Sequence, residues 1–275
     1  MAEVLKKSSK IKIGIVSLGL IGGSILKGLY KNKDYELFCC SKGSFEEAKK
    51  YCTYASDDIN IVKDCDIVFV CSPISKTLSM LEKLDKIVKK ETIVADVASV
   101  KGELSDKKFN FDFILSHPMA GSEKSGFSAS CADLFKSAKW LIQKNNPILE
   151  KIIADLGAVA LKIDMNKHDY MCAQISHMPT ILSYLIFENA SDNALELASS
   201  GFRDMTRLAC GDLTLAIDML KYNEKNILKS LDDLKEKIEK LKSLDENKKE
   251  ELFKDITKKR TKMYDNNGKN IFTIL

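Results

Sequence analysis

The stretch IKIGIVSLGLIGGSILKGL, from Ile11 to Leu29, constrains this chain more than any other. An apolar run rich in β-branched residues breaks at a turn carrying Gly19, Gly22 and Gly23, and apolar residues at helical spacing follow. A strand, a glycine turn and a helix in that order form a ready anion site. The first backbone N–H groups of a helix lack partners and its N-terminus carries partial positive charge. In the G-x-G-x-x-G fingerprint of dinucleotide-binding folds, the second glycine lets the backbone approach a pyrophosphate and the third lets helix and strand pack closely. Gly19 and Gly22 hold those places, while Ser17 stands at the first, where a small serine fits a turn of negative φ and can face the ligand. The turn residues Ser17, Gly19, Leu20, Ile21 and Gly22 are thus candidate cofactor contacts.

About 20 residues on, such folds place a carboxylate that grips the ribose 2′-hydroxyl of NAD. Here the second strand run ends LFCCSKGS, with Ser41 at that place and Lys42 next. Nothing there repels a 2′-phosphate and a cation is at hand, so the reading leans to NADP over NAD. Ser72 and Pro73, which close the run CDIVFVCSP, complete the cofactor set.

Strand runs KIGIVSL, YELFCCS, CDIVFVCS, ETIVADVA and DFILSHP alternate with helical stretches, and KWLIQK and AVALKID are expected to extend the sheet. Alternation of this kind implies a mostly parallel, doubly wound α/β sheet of Rossmann type. After Asp164 the pattern turns helical throughout. The expected division is therefore a dinucleotide-binding domain over 1–164 and an all-helical domain over 165–275. The Lys/Glu-rich run from Lys229 to Lys262 reads as solvated helix faces.

Composition excludes several classes. Lys and Arg number 43 against 39 Asp and Glu, a net charge of +4, with no basic arm interleaved with aromatics, so nucleic acid is not an expected partner. No apolar run reaches the ~20 residues of a membrane span, and MAEVLKKSSK lacks a signal-peptide core. The expected location is the cytoplasm. The eight cysteines form no C-x-x-C pair and no zinc-finger spacing, so they read as buried thiols and no metal is expected.

Three further segments carry a family resemblance: DVASVKGEL, SHPMAGSEKSGF, and the pair HDYMCAQISHMPTILSY and GFRDMTRLA. With the glycine turn, they resemble the prephenate dehydrogenase family of tyrosine biosynthesis over about Ile11 to Asn223. The resemblance implies an N-terminal dinucleotide domain and a C-terminal helical domain that forms a homodimer. It also implies oxidation of prephenate, arogenate or both, with hydride transfer to NAD or NADP and loss of carbon dioxide. The product is 4-hydroxyphenylpyruvate from prephenate or tyrosine from arogenate. Members with an appended regulatory or mutase domain are longer than 275 residues allow.

The reaction removes a hydride from the ring carbon bearing a hydroxyl while that hydroxyl loses its proton. The ring carboxylate then leaves and the ring becomes aromatic, which supplies the driving force. The protein must position the ring and provide a base. The resemblance gives His117 this role, at the carboxyl end of the run DFILS, and makes Ser99 the hydroxyl that bonds both the histidine and the substrate. Asp96 and Lys101 are expected to support the loop between them. Arg207 matches the family arginine that grips the ring carboxylate, where a planar guanidinium fits two oxygens at once. Arg203, one helical turn earlier, is expected to pair with Glu123 across the domain or subunit boundary and gate the site. Ser176, His177, Thr180, Ser122 and Glu123 are expected along the pocket wall, with His177 equally readable as a packed helix histidine.

Departures from the family pattern are Ser17 for glycine, Ser41 for an acid, Ala98 for glycine, Thr180 for a second histidine, and no tryptophan in LTLAIDM. Thr180 can donate one hydrogen bond to a substrate side chain but carries no charge. Two other readings compete. A β-hydroxyacid-type dehydrogenase wants a lysine near an asparagine in the helical half, and HDYMCAQISH offers neither. A non-catalytic NAD(P)-binding sensor accounts for Ser17 and Ser41 but has no use for Ser99, His117 and Arg207 together.

Overall fold

A computed structural model describes residues 10–264; residues 1–9 of the stretch read above for a signal peptide, and residues 265–275 at the end of the helical half, lie outside them. The chain forms two compact units, the first ending at Ile227 and the second starting at Leu228.

In the first unit, six parallel strands form one sheet: β1 (Ile11–Val16), β2 (Tyr35–Cys40), β3 (Tyr54–Ser56), β4 (Ile67–Val70), β5 (Ile93–Asp96) and β6 (Asp112–Ile114). Their spatial order is β3-β2-β1-β4-β5-β6, so the chain reverses direction across the sheet between β1 and β4. Sheets of this type bind ligands at that switch point, beyond the carboxyl ends of the strands. Ile13 of β1 lies opposite Leu37 on one side and Ile67 on the other. Helices α1 (Leu20–Leu29), α2 (Phe45–Ala48) and α3 (Ile74–Leu84) provide the early connections. Strands buried on both faces need apolar residues throughout, and the IVFV of β4 is buried at all four positions. One core joins Ile25, Leu26 and Leu29 of α1 to Ile13, Ile15 and Phe69. A second joins Leu81 and Leu84 of α3 to Val68, Val70 and Val94. The fold is the doubly wound Rossmann-like architecture that the alternation implies.

The runs KWLIQK and AVALKID do not extend this sheet. They form β8 (Lys139–Ile142) and β9 (Val159–Lys162) of a separate three-stranded sheet, ordered β7-β8-β9, whose β7 (Ser116–Pro118) runs antiparallel to β8. The run DFILSHP is thus two strands in two sheets. The backbone N–H and hydroxyl of Ser116 turn to the Asp96 side chain and carbonyl, and Trp140 packs in the core beneath. Helix α4 (Pro147–Asp155) links β8 to β9; Asn146 caps it by accepting from the Ile148 and Leu149 N–H groups, and Pro147 opens it.

From Met165 the chain is helical: α5 (Met165–Cys172), α6 (Met178–Glu188), α7 (Asp192–Leu195), α8 (Ser200–Thr206), α9 (Leu213–Ser243) and α10 (Glu246–Met263). Between α5 and α6, residues Ala173–His177 form a π-helical turn, with the Met178 N–H bonded five residues back to Ala173. Such turns recur at functional sites. Helix α9 is kinked at Asn223, whose φ of −129° and ψ of 21° leave the helical region. The second unit contains the rest of α9 and α10, whose residues are largely exposed. No helix among the described residues is long and apolar enough to cross a membrane.

Candidate active site

The glycine turn leaves β1 at its carboxyl end, at the switch point. Ser17 adopts φ 72°, not the negative φ expected of it, and its N–H bonds the Cys40 carbonyl at 2.8 Å. The left-handed conformation brings the Ser17 carbonyl so close to α1 that a Cβ on Gly22 would sit 2.2 Å from it, so this glycine is fixed by close approach. A Cβ on Gly19 would meet nothing within 4 Å. Helix α1 has no side-chain cap and no acidic residue in its first turn. Its N-terminus therefore faces open space with N–H groups to offer. That arrangement fits a pyrophosphate. Leu20 and Ile21 are half-buried beside it, Ser41 follows β2, Lys42 is exposed, and buried Ser72 precedes Pro73 at the start of α3. At the same end, Asp218 accepts from the Ser75 N–H and hydroxyl, tying α9 to α3.

His117 sits in β7, so its place is fixed by the network that fixes Ser116. The Lys101 ammonium is fully buried; it donates to the Asp96 carboxylate and to the Ser116 carbonyl, the latter at 2.6 Å. Asp96 also accepts from the N–H groups of Ala98 and Ser116, and Trp140 Nε1 donates to the Ser116 hydroxyl. Burial pushes the Lys101 pKa down, against the pull of Asp96.

A chain of side chains then leads from α5 to His117. Asp169 accepts from the backbone N–H groups of Lys101 and Gly102. Its Oδ1 lies 2.7 Å from His168 Nδ1, and His168 Nε2 lies 3.0 Å from His117 Nδ1. A carboxylate only accepts, so His168 Nδ1 carries a proton and Nε2 presents a lone pair. His117 Nδ1–H donates to that lone pair, which leaves His117 Nε2 as the basic nitrogen. Burial, and after it the charge of Lys101, holds the His117 pKa well below its usual 6.5. Cys172 Sγ lies beside both histidines, so three buried donors of the kind that ligate metals meet at a place where no local spacing announces them.

His177 lies in the π-helical turn. Asn223 Nδ2 donates to His177 Nδ1 at 2.9 Å and to the Asp169 carbonyl at 2.8 Å. His177 Nε2 therefore carries the proton, and it is buried without a partner. Burial lowers its pKa to about 4. The Ser99 hydroxyl is likewise buried without a partner, so the bond to His117 expected of it is not made. Two unpartnered buried polar groups are costly unless something else fills their valences.

Within this chain Glu123 meets a different arginine from the one expected. Glu123 pairs with Arg207, Nη1 to Oε2 at 3.2 Å, while Arg203 lies 3.7 Å from its neighbour Asp204. Arg207 opens a short 3-10 turn after α8, which brings it to the loop of Glu123, and Arg203 remains on the exposed side. Ser122 accepts from the Lys124 N–H in the same loop. Thr180 donates its hydroxyl to the Ser176 carbonyl at 2.9 Å, so the donor expected to meet a substrate is already engaged. The residues left without a role in the sequence, His168, Asp169 and Asn223, orient the two histidines. Only the HD pair of HDYMC hints at it, since a histidine beside a carboxylate reads as an oriented ring.

A family profile described as prephenate dehydrogenase, nucleotide-binding domain, matches residues 37–165, and one described as its dimerization domain matches 164–259. A prephenate dehydrogenase of Lactococcus lactis subsp. cremoris is 30% identical over 247 residues, covering 84% of this chain and 70% of its own length. The chain belongs to the prephenate dehydrogenase family. Its relatives in that family are oxidoreductases, and the matched nucleotide-binding domain supports NAD(P) binding. A solved arogenate dehydrogenase of Synechocystis is 30% identical, with a TM-score of 0.78, covering 92% of this chain and 99% of that one. A prephenate dehydrogenase of A. aeolicus, solved with hydroxyphenyl propionate and NAD+, shares the fold at a TM-score of 0.80 and 23% identity, covering 92% and 98%.

Proposed function

We propose that this protein oxidises and decarboxylates prephenate to 4-hydroxyphenylpyruvate in the cytoplasm, with His117 Nε2 as the base. The observation that carries the reading is the line Asp169–His168–His117, which leaves a neutral imidazole with its lone pair on the unbonded nitrogen. The nicotinamide of a bound NAD(P) supplies the hydride acceptor. His117 takes the proton of the ring hydroxyl as the hydride leaves, and the ring then sheds its carboxylate as carbon dioxide and aromatises. Ser99, with its hydroxyl otherwise unpartnered, bonds the same substrate oxygen. Arg207 exchanges Glu123 for the ring carboxylate. His177 Nε2–H donates to the substrate side chain, with Ser176 beside it, while Thr180 contributes contact or an acceptor only. Arg203 stands on the exposed side, and Ser122 and Glu123 belong to the loop that partners Arg207.

The cofactor set is Ser17, Gly19, Leu20, Ile21, Gly22, Ser41, Lys42, Ser72 and Pro73, with NADP favoured because Ser41 stands where a carboxylate would repel the 2′-phosphate and the Lys42 ammonium follows it. The nucleotide-binding domain spans 1–164, and the helical domain from 165 forms the homodimer; the family description of residues 164–259 as a dimerization domain supports this.

Arogenate is the second substrate reading, favoured by the Synechocystis relative and by Thr180, which adds no cation for a pyruvyl carboxylate. A two-by-two initial-rate assay, prephenate or arogenate with NAD or NADP, tests all of this. Turnover is expected with prephenate and NADP, and Lys42→Ala is expected to weaken NADP selectively. No turnover with any pair by folded protein would favour the non-catalytic sensor.

A further inference from the structure

His168 and Cys172 stand four residues apart on α5, so their side chains leave the same face one turn apart. His117 reaches them from β7 in the sheet opposite. The donor atoms His117 Nδ1, His168 Nε2 and Cys172 Sγ are separated by 3.0, 3.5 and 3.8 Å, and all three residues are buried.

We propose that these three side chains form a binding site for a zinc-class divalent cation, and that filling it switches the enzyme off. Zinc takes imidazole nitrogen at about 2.0–2.1 Å and thiolate sulfur at about 2.3 Å in a tetrahedron. Those lengths require donors about 3.3 Å apart for two nitrogens and about 3.6 Å for nitrogen and sulfur. The observed separations differ from these by no more than about 0.3 Å, a shift that small side-chain rotations supply. A mixed thiolate and imidazole set selects zinc over magnesium or calcium, which take oxygen ligands.

The surroundings are those of a metal site. The Asp169 carboxylate holds His168 Nδ1–H, so Nε2 already points its lone pair at the other two donors. This carboxylate–histidine pair is the usual outer support of a zinc ligand. The charges also balance: Asp96 and Asp169 against Lys101 leave one negative charge, and the thiolate of Cys172 adds a second. Three protein donors leave the fourth position to water or to an oxygen of the substrate.

The chemistry balances without a co-reactant. The cation forms bonds to His117 Nδ1, His168 Nε2 and Cys172 Sγ. The Cys172 thiol proton goes to solvent, and the proton of His117 moves from Nδ1 to Nε2. Nothing is oxidised or reduced. Binding needs only the geometry above; inhibition rests on the base role proposed for His117. With Nδ1 bound to metal and Nε2 protonated, the ring has no lone pair for a substrate proton.

The test is cobalt titration of the full chain after chelator dialysis, followed with zinc. One equivalent of Co2+ is expected to give a thiolate-to-cobalt charge-transfer band in the near ultraviolet and tetrahedral bands in the visible, and Zn2+ is expected to erase both. Cys172→Ala should lose the thiolate band and weaken zinc binding at least about tenfold, with its metal-free turnover unchanged and its zinc inhibition weakened in parallel. Cys172→Ser repeats the test without leaving a void. Absence of a thiolate band in the wild-type protein, or equal zinc affinity in all three proteins, would overturn the site. A thiolate band in a protein without dehydrogenase activity upholds the site and rejects the catalytic reading, so the two failures are separable.

Discussion

Ser17 holds a left-handed backbone at φ 72°, a region that costs a residue with a Cβ about 1–2 kcal/mol. The close approach of its carbonyl to Gly22 requires that conformation, so the cost is built into the turn. Ser17→Gly should therefore raise stability by about 1 kcal/mol, less what glycine gains in unfolded freedom, without weakening NAD(P) binding; urea unfolding and cofactor titration read both. His117 yields the second residue-scale prediction. Its pKa is lowered, chiefly by burial and then by Lys101, so the neutral base persists as pH falls below 6.5. Read from the free sequence, activity would decline from about pH 6.5. In the folded protein, the acid limb of kcat/KM should lie well below that, measured in chelated buffer. A limb at or above pH 6.5 would remove His117 from the role of base or return it to solvent. The swap of Arg203 for Arg207 at Glu123 belongs here too: the two lie one turn apart, and sequence spacing does not say which of them a distant loop meets.

At the scale of elements, the base is held by β7, and β7 is held by Lys101. A fully buried ammonium ties Asp96 at the end of β5 to the Ser116 carbonyl. Lys101→Ala would leave the Asp96 charge buried and uncompensated, at a cost of about 3–5 kcal/mol. The urea midpoint should fall accordingly, and an unchanged midpoint would show that Asp96 is satisfied without it. The long parallel strands β1, β2, β4 and β5 were legible because apolar runs bounded by turn residues have few other solutions. The three-residue β3 carries too little pattern to be seen. Helix α4 did leave a signal in its Asn146–Pro147 start. The division of DFILSHP between two sheets was not legible, since Ser116 is turned by Asp96, 20 residues away. The same holds for the site. The glycine turn and the SHP and ISH strings mark its parts, but the line Asp169–His168–His117 joins positions 51 residues apart. Asn223 acts on His177 from a kink in α9 that propensity does not announce.

Across the whole molecule, a Rossmann-type sheet presents a glycine turn at its switch point, and the helices that follow bring His168, His177, Asn223 and Arg207 to the same first unit. Ser99 and His177 keep buried polar atoms without partners, a cost that a bound substrate would relieve. Removal of the substrate proton by a neutral His117 is read by the initial rate of prephenate-dependent nicotinamide reduction in the wild type and in His117→Asn, with cofactor affinity measured on both. Turnover should fall by roughly 10²–10⁴-fold with cofactor affinity retained; equal turnover in the two proteins would rule His117 out as the base.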